Sequence, residues 1–383
     1  MPIDFGSTRS SGINALAYAD LIEYLGHAGD TRVFDMRQLL AEPDEFVRHR
    51  MGTDVVQLHR LCPSLGVRVD SYRQGALPGG RPALVPRDFA CETTREGTDL
   101  IRDGRGRVVF RRPKGGLFFE DAYHPLADAQ TQRDVDELLT PPSIDAAEAA
   151  YLASVSRCYF EATDYAIIGS ASLSIFERGL KDFGYENFLV NVYVNRDLID
   201  YYLLRMTEAY ERMLDSYLAA CGDYIQIIQA NDDLGTQSGP LIDPKMYREV
   251  FKPWHARLFG HVKNTKSNIF VFLHSCGGIY DFIPDFIDAG ADILNPIQTG
   301  AEGMDPYRIK REFGKDITLW GGGCDVQKTL PFGTVEQVRC ETIQRVAGLK
   351  KGGGYVFAPT HNIQAGTSAA NIAAMYDAAL AAR

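Results

Sequence analysis

From about residue 140 onward, short apolar runs alternate with longer stretches whose apolar positions recur at helical spacing. The runs are Tyr165–Ser170, Tyr224–Gln229, Ile269–His274, Asp292–Pro296, Ile317–Trp320 and Tyr355–Ala358. Between them, Asp197 to Ala220 carries Leu198, Tyr202, Met206, Tyr210, Met213 and Tyr217 on one helical face, with Gly222 as a C-cap. Asp243–Val262, Ile279–Ala289 and Thr334–Leu349 read as helices in the same way. Strands alternating with helices predict a parallel sheet wrapped by helices. Asp54–Leu58 supplies one further, early strand, so seven strands are recognisable and an eighth is not located. The pattern predicts an α/β fold of the (β/α)8 TIM-barrel type. An open doubly wound sheet is the alternative, but no Gly-rich phosphate loop follows any early strand.

The N-terminal third has a different texture. Ala15–Leu25 and Val33–Met51 read as helical, and residues 68–120 as short strands and turns. Asp103-Gly104 between Leu100–Arg102 and Val108–Phe110 marks a hairpin. Around it cluster Arg102, Arg105, Arg107, Arg111, Arg112 and Lys114, either a solvated face or a basic flap over an anionic ligand. The expected organisation is one structural domain. Residues 1–135 form a helical and β-hairpin elaboration that includes the early strand, and residues 136–383 form the main part of the barrel.

Composition narrows the function classes. The 383 residues are 45% hydrophobic and 23% charged with a net charge of −10, which offers no excess cation for phosphates and argues against nucleic-acid or anionic-membrane binding. No apolar run approaches the roughly 20 residues of a membrane span. The opening MPIDFGSTRSSG lacks the apolar core of a signal peptide. Seven cysteines, odd in number and sparse, fit a reducing compartment rather than a disulfide scaffold. The expected location is the cytoplasm.

In a barrel, chemistry gathers where strands end. Asn231, Asp232 and Asp233 follow one run; His274, Ser275, Cys276 and Gly277 follow the next. Asn295 and Gln298, then Cys324, Asp325 and Gln327, then His361, Asn362 and Gln364 follow the last three. His274 and Cys276, two apart on an extended strand, point the same way, and an imidazole with a thiolate favours Zn²⁺. Cys324 and His361, at later strand ends, are the candidates to complete the site, and Asp233 could arrive from the other side. Asp243 is the nearer cap for the helix that follows, which leaves Asp232 and Asp233 free as acid/base or binding groups, with Asp233 ahead. Asn231, Asn295, Gln298 and Gln327 form the expected substrate-binding wall. Cys62, Cys91, Cys158, Cys221 and Cys340 read as ordinary core or surface residues, and His49, His59, His255 and His261 as structural or solvated ones.

These strand-end residues, in this order, resemble the uroporphyrinogen decarboxylase superfamily, a group of (β/α)8 barrels. The matching phrases are NDDLGTQSGPLIDPKMYREVFKPW (231–254), LHSCGGIYDFIPDFIDAGADILNPIQ (273–298), LWGGGCDVQKTLPFGTVEQV (319–338) and GGYVFAPTHNIQAGTSAANIAAMYDA (353–378). True decarboxylases of the group carry a Met-Arg-Gln-Ala-Gly-Arg-Tyr type of phrase. Here Asp35-Met36-Arg37-Gln38-Leu39 is the nearest echo, without the continuation. His274-x-Cys276 is instead similar to the start of the zinc motif in the group's cobamide-dependent methyltransferases, although Pro359-Thr360-His361 stands where those usually carry Pro-Gly-Cys.

The resemblance implies a zinc-dependent methyltransferase that moves a methyl group from or to a small methoxylated, methylated or thiol compound, O-demethylation included. It also implies a cobalamin carried by a separate corrinoid protein, because no Asp-x-His-x-x-Gly segment is present. A homodimer is compatible with this fold. The rival expectation is a metal-free decarboxylase or lyase acting on a small carboxylate, with Asp233 as acid/base.

Overall fold

The computed structural model describes residues 1–383. Seven parallel strands form the central sheet: β1 (Val55–Leu58), β2 (Ala166–Leu173), β3 (Ile227–Asn231), β4 (Phe270–His274), β5 (Ile293–Asn295), β6 (Thr318–Trp320) and β7 (Tyr355–Val356). Their order in space follows their order in sequence, each strand pairing with the next. That succession is the curled sheet of a TIM-type barrel.

The seam between β7 and β1 is filled by residues 2–5. Asp4 N–H donates to Phe357 O at 2.8 Å and Phe357 N–H to Pro2 O at 2.9 Å. On the other side Asp54 N–H donates to Ile3 O at 2.8 Å. The eighth position, unlocated by pattern, is therefore held by the start of the chain. Alternation is kept: Ile3 and Phe5 are buried in the outer core with the helices, while Asp4 accepts from the Trp320 indole N–H at 2.7 Å.

The core has two parts. Inside the barrel, Val55, Ile168, Ile227, Phe272, Ile293, Trp320 and Val356 form a closed cluster, one residue from each of β1 to β7. Outside it, a much larger cluster joins the strands to the helices. The helix Arg196–Cys221 lays Leu198, Tyr202, Met206, Tyr210, Met213 and Tyr217 into that layer, the face its periodicity predicts. No helix is long and apolar enough to cross a membrane.

Two helix expectations are corrected. Residues 33–42 form strands Arg32–Asp35 and Leu40–Glu42, paired antiparallel, and only Glu45–Met51 is helical. The cause is local: the Asp35 carboxylate accepts from Arg37 N–H (2.8 Å) and Gln38 N–H (3.1 Å), closing a turn in which Leu39 takes a positive φ of 54°. The predicted helix Asp243–Val262 is broken into Pro244–Val250 and Lys252–Thr265, with Pro253 in the first turn of the second, where its missing N–H costs nothing.

The hairpin forms as predicted, with Asp99–Arg102 against Val108–Arg112. Its cations are largely answered by carboxylates of the same small sheet: Arg102 by Glu92 (3.0 Å), Arg107 by Asp103 (2.7 Å) and Arg112 by Asp99 (2.6 Å).

Phe5 is 2% exposed and packs edge-on against Tyr376 at 5.1 Å, at the closing seam. Phe5→Ala is expected to cost about 3–5 kcal/mol of unfolding free energy, measured by urea denaturation. A cost under about 1 kcal/mol, typical of an exposed site, would show that the seam does not carry the fold.

Candidate active site

The parallel register sets Asn231 opposite His274 and His274 opposite Asn295, so three polar side chains stand in one row at the C-terminal ends of β3, β4 and β5. Beyond them opens a cavity of about 810 Å³. His274, Asp233, Asn231 and His361 line its inner end, and Arg37, Phe110, Asp121 and Lys181 are among its other walls.

One oxygen of Asp233, one nitrogen of His274 and the sulfur of Cys276 lie within 4.8 Å of one another. Backbone geometry brings them together. The Asp233 carboxylate accepts from Cys276 N–H at 2.8 Å, and Gly277 N–H donates to Gln298 Oε1 at 2.8 Å. Gly277 has φ +89°, and a Cβ there would lie 2.3 Å from the Gly235 carbonyl carbon, so only glycine lets these two loops touch.

His274 is held in one tautomer. Asn295 Nδ2 donates to Trp320 O at 3.1 Å, which turns Asn295 Oδ1 toward His274 Nδ1 at 2.7 Å. An oxygen acceptor there requires the proton on Nδ1, so that in the neutral ring Nε2 carries the lone pair, with Asp233 Oδ1 at 3.4 Å. Burial first, and then the neighbouring Asp233 carboxylate, push the Cys276 thiol far above its ordinary range. A carboxylate oxygen, an imidazole nitrogen and a sulfur converging within 4.8 Å can hold a cation once the thiol gives up its proton. Oxygen, nitrogen and sulfur together are a donor set zinc accepts.

The other predicted residues divide. His361 lines the same cavity, its ring 5.6 Å from that of His274. Its Nδ1 faces Asn362 Oδ1 at 2.8 Å, and burial, then His274, lower its pKa. Cys324 stands apart from this group: it is buried in the core and its thiol donates to Glu341 Oε2 at 3.8 Å; neither it nor Cys276 lines the cavity, but only Cys276 lies within reach of Asp233 and His274.

Asp232, expected beside Asp233 as an acid/base group, is buried with its acceptors fully used. Its carboxylate receives Ser174 O–H (2.9 Å), the N–H groups of Ile175 and Glu177 (both 2.8 Å) and His255 Nε2 (2.7 Å). It pins the loop after β2 to β3 and lies outside the cavity lining. Gln298 holds the Gly277 turn, Asn295 holds His274, and Gln327 is exposed beyond the cavity, so of the expected wall only Asn231 lines the cavity.

Sequence reasoning missed Glu177. It lines the cavity, and burial followed by the Asp233 and Asp232 carboxylates holds its carboxyl well above the usual range. Ser170, Ser172 and Ser174, spaced by two at the end of β2, also line it, a period-2 signal visible in GSASLS. Arg9 and Arg37 reach it from loops whose approach no local pattern announces.

A (β/α)8 barrel with a metal-capable cluster at its strand ends is thus the class this chain falls into. It belongs to the uroporphyrinogen decarboxylase family, whose family model, described as uroporphyrinogen decarboxylase (URO-D), matches residues 128–381. Among solved structures it is similar to a methyltransferase from Methanosarcina mazei, with 16% identity, a TM-score of 0.55 and coverage of 100% of this chain and 95% of that one. At that identity the likeness establishes the fold alone. An E. coli 3-keto-D-glucoside 4-epimerase (13% identity, TM-score 0.38, 69% of this chain and 97% of that one) is more remote and bears on nothing further. No curated protein matches the sequence.

Asp232→Ala is expected to cost about 3–5 kcal/mol, since it strands buried donors and the His255 partner, and Asp233→Ala less than about 1 kcal/mol; denaturant titration separates the two. Equal costs would refute the division of roles. Glu177 gives a pH signature in metal-free protein. A raised native pKa means that stability falls as pH rises from the unfolded carboxyl value toward the native one. Glu177→Gln is therefore expected to be more stable than the parent at pH 7.5, with the gap closing below about pH 4. A pH-independent gap would count against a neutral Glu177.

Proposed function

We propose that this chain is a zinc-dependent, corrinoid-linked methyltransferase that moves a methyl group from or to a small methoxylated, methylated or thiol compound. The observation that carries the reading is the convergence of Asp233, His274 and Cys276 within 4.8 Å, with the His274 lone pair turned toward the other two. His274, Cys276 and Asp233 would hold the metal, and His361, facing the same cavity, is the donor placed to complete the set. Zinc on such a set supplies Lewis-acid polarisation of a donor oxygen or stabilisation of a thiolate. A set with one thiolate is a stronger Lewis acid than a thiolate-rich one, which favours a methoxylated donor over a thiol.

The chain's own residues supply the rest. Asn231, its carboxamide oriented by Gln229 at 2.8 Å, offers hydrogen bonds beside His274. Glu177, whose carboxyl is pushed up by burial and by its acidic neighbours, can in its protonated form donate a hydrogen bond to an oxygen in the cavity. Arg9 and Arg37 balance the acidic inner end at longer range. The corrinoid would come from a separate protein.

A second reading, a metal-free decarboxylase of a small carboxylate, is favoured by one observation: Arg9, Arg37, Arg178 and Lys181 all line the cavity. Arg9, Arg37 and Arg178 are paired with Asp35, Asp121 and Asp182 at 2.7, 2.5 and 2.8 Å, while Lys181 shares Asp121 at 3.9 Å, so three carboxylates answer most of the charge of four cations.

Mass spectrometry of protein purified without chelator or metal-affinity tag is expected to find about one zinc per chain, falling below about 0.1 in Cys276→Ser and His274→Ala. Methyl transfer from methoxylated donors to cob(I)alamin is expected to fall with the metal. Folded wild-type protein without metal, and with decarboxylase activity indifferent to chelators, would establish the second reading.

A further inference from the structure

The N-terminal segment that closes the barrel continues into the candidate metal site. Ser10 lines the cavity, is 6% exposed, and its hydroxyl donates to Asn295 Oδ1 at 2.8 Å, the same oxygen that faces His274 Nδ1. Thr8 Oγ1 lies 2.9 Å from Ser10 Oγ; because Ser10 uses its proton on Asn295, Thr8 is the donor of that pair. Asn295 is 1% exposed, and its amide group is anchored on Trp320 O. Trp320 is tied in turn to Asp4 in the closing strand. All groups around Asn295 are thereby assigned: two donors, Ser10 O–H and His274 Nδ1–H, converge on its oxygen, and its own N–H points away.

We propose that Asn295 is a positioning residue which, with Ser10 as its support, fixes His274 as the Nδ1–H tautomer so that Nε2 is presented to the ion. The inference rests on the metal reading above, but the tautomer is a property of this chain's residues alone. A histidine side chain free in water favours the opposite, Nε2–H form, which would put a proton where the ion must bind. Partners of this kind orient metal-binding histidines and raise metal affinity, and their loss typically weakens binding about 10–100-fold. Asn295 therefore belongs to the support of His274, not to the substrate wall.

The test has two readouts. In metal-free protein with ¹⁵N-labelled histidine, at a pH above the titration of the ring, His274 (assigned with His274→Gln) is expected to show Nδ1–H by NMR. Asn295→Leu is expected to lose that preference and to bind zinc about 10–100-fold more weakly in chelator competition. Asn295→Asp keeps an oxygen acceptor and is expected to preserve Nδ1–H, and Ser10→Ala to weaken zinc by a smaller factor. Wild-type His274 as the Nε2–H form, or an unchanged tautomer with unchanged zinc affinity in both Asn295→Leu and Ser10→Ala, would overturn the proposal. Should Asn295→Leu fail to fold, weaker zinc binding in Ser10→Ala or a shift of its His274 toward the Nε2–H form supports it, and unchanged tautomer and affinity there overturn it. An Nδ1–H His274 in a protein that takes up no zinc would uphold the positioning role and refute the metal reading.

Discussion

Everything at the site depends on the parallel register across β3, β4 and β5, which sets Asn231, His274 and Asn295 in one row. In a parallel sheet a slip of one residue turns every side chain to the opposite face. His274 would then point into the helical layer, and its contact with Asn295 would be lost. The register is held from inside by the barrel cluster, in which Ile227, Phe272 and Ile293 pack beside Trp320. Packing of large side chains in a closed barrel tolerates no such slip. The precision of the polar row is inherited from the apolar one beneath it.

Charge is the second constraint. Asp232, Asp233 and Glu177 crowd the ends of β2 and β3, and three like charges in a half-buried space oppose one another strongly. The structure resolves this with three different solutions. Asp232 is saturated by four donors, Asp233 takes one backbone N–H and keeps a side toward His274, and the Glu177 carboxyl is pushed well above its usual range. Of the three, Asp233 is the one that both lines the cavity and stands beside His274 and Cys276, which makes it the carboxylate placed for a ligand.

Much of this was legible in the sequence because barrels write themselves locally. Apolar runs gave the seven strands, and the residues just beyond them placed Asp233, His274, Cys276 and His361 at the right ends. What stayed hidden was set by distance along the chain. The closing strand is only residues 2–5, too short to show a period, and it forms because Asp54 and Phe357 offer unpaired backbone groups on both sides. Arg37 enters the cavity from a turn that the Asp35 carboxylate closes, where helical spacing of Val33 to Met51 misled. The sequence ranks Asp233 ahead of Asp232, but both are expected to serve the site. Just past the end of β3, Asp232 turns toward the loop after β2 and Asp233 toward Cys276, a division set by partners distant in the chain.

Family membership and chemistry separate at this point. The barrel and its strand-end phrases place the chain among the uroporphyrinogen decarboxylase proteins, and a barrel of that kind hosts more than one reaction. What distinguishes this chain is which donors its strand ends present. Arg37 in the cavity echoes carboxylate recognition, yet it is bonded to Asp121 at 2.5 Å, and a substrate carboxylate would have to compete with that bond. His274 Nε2, by contrast, has Asp233 Oδ1 as its neighbour at 3.4 Å, and Asp233, His274 and Cys276 lie close enough together to share one ligand. The strand ends thus present a compact cluster of oxygen, nitrogen and sulfur, where carboxylate recognition by Arg37 would first have to break an existing ion pair.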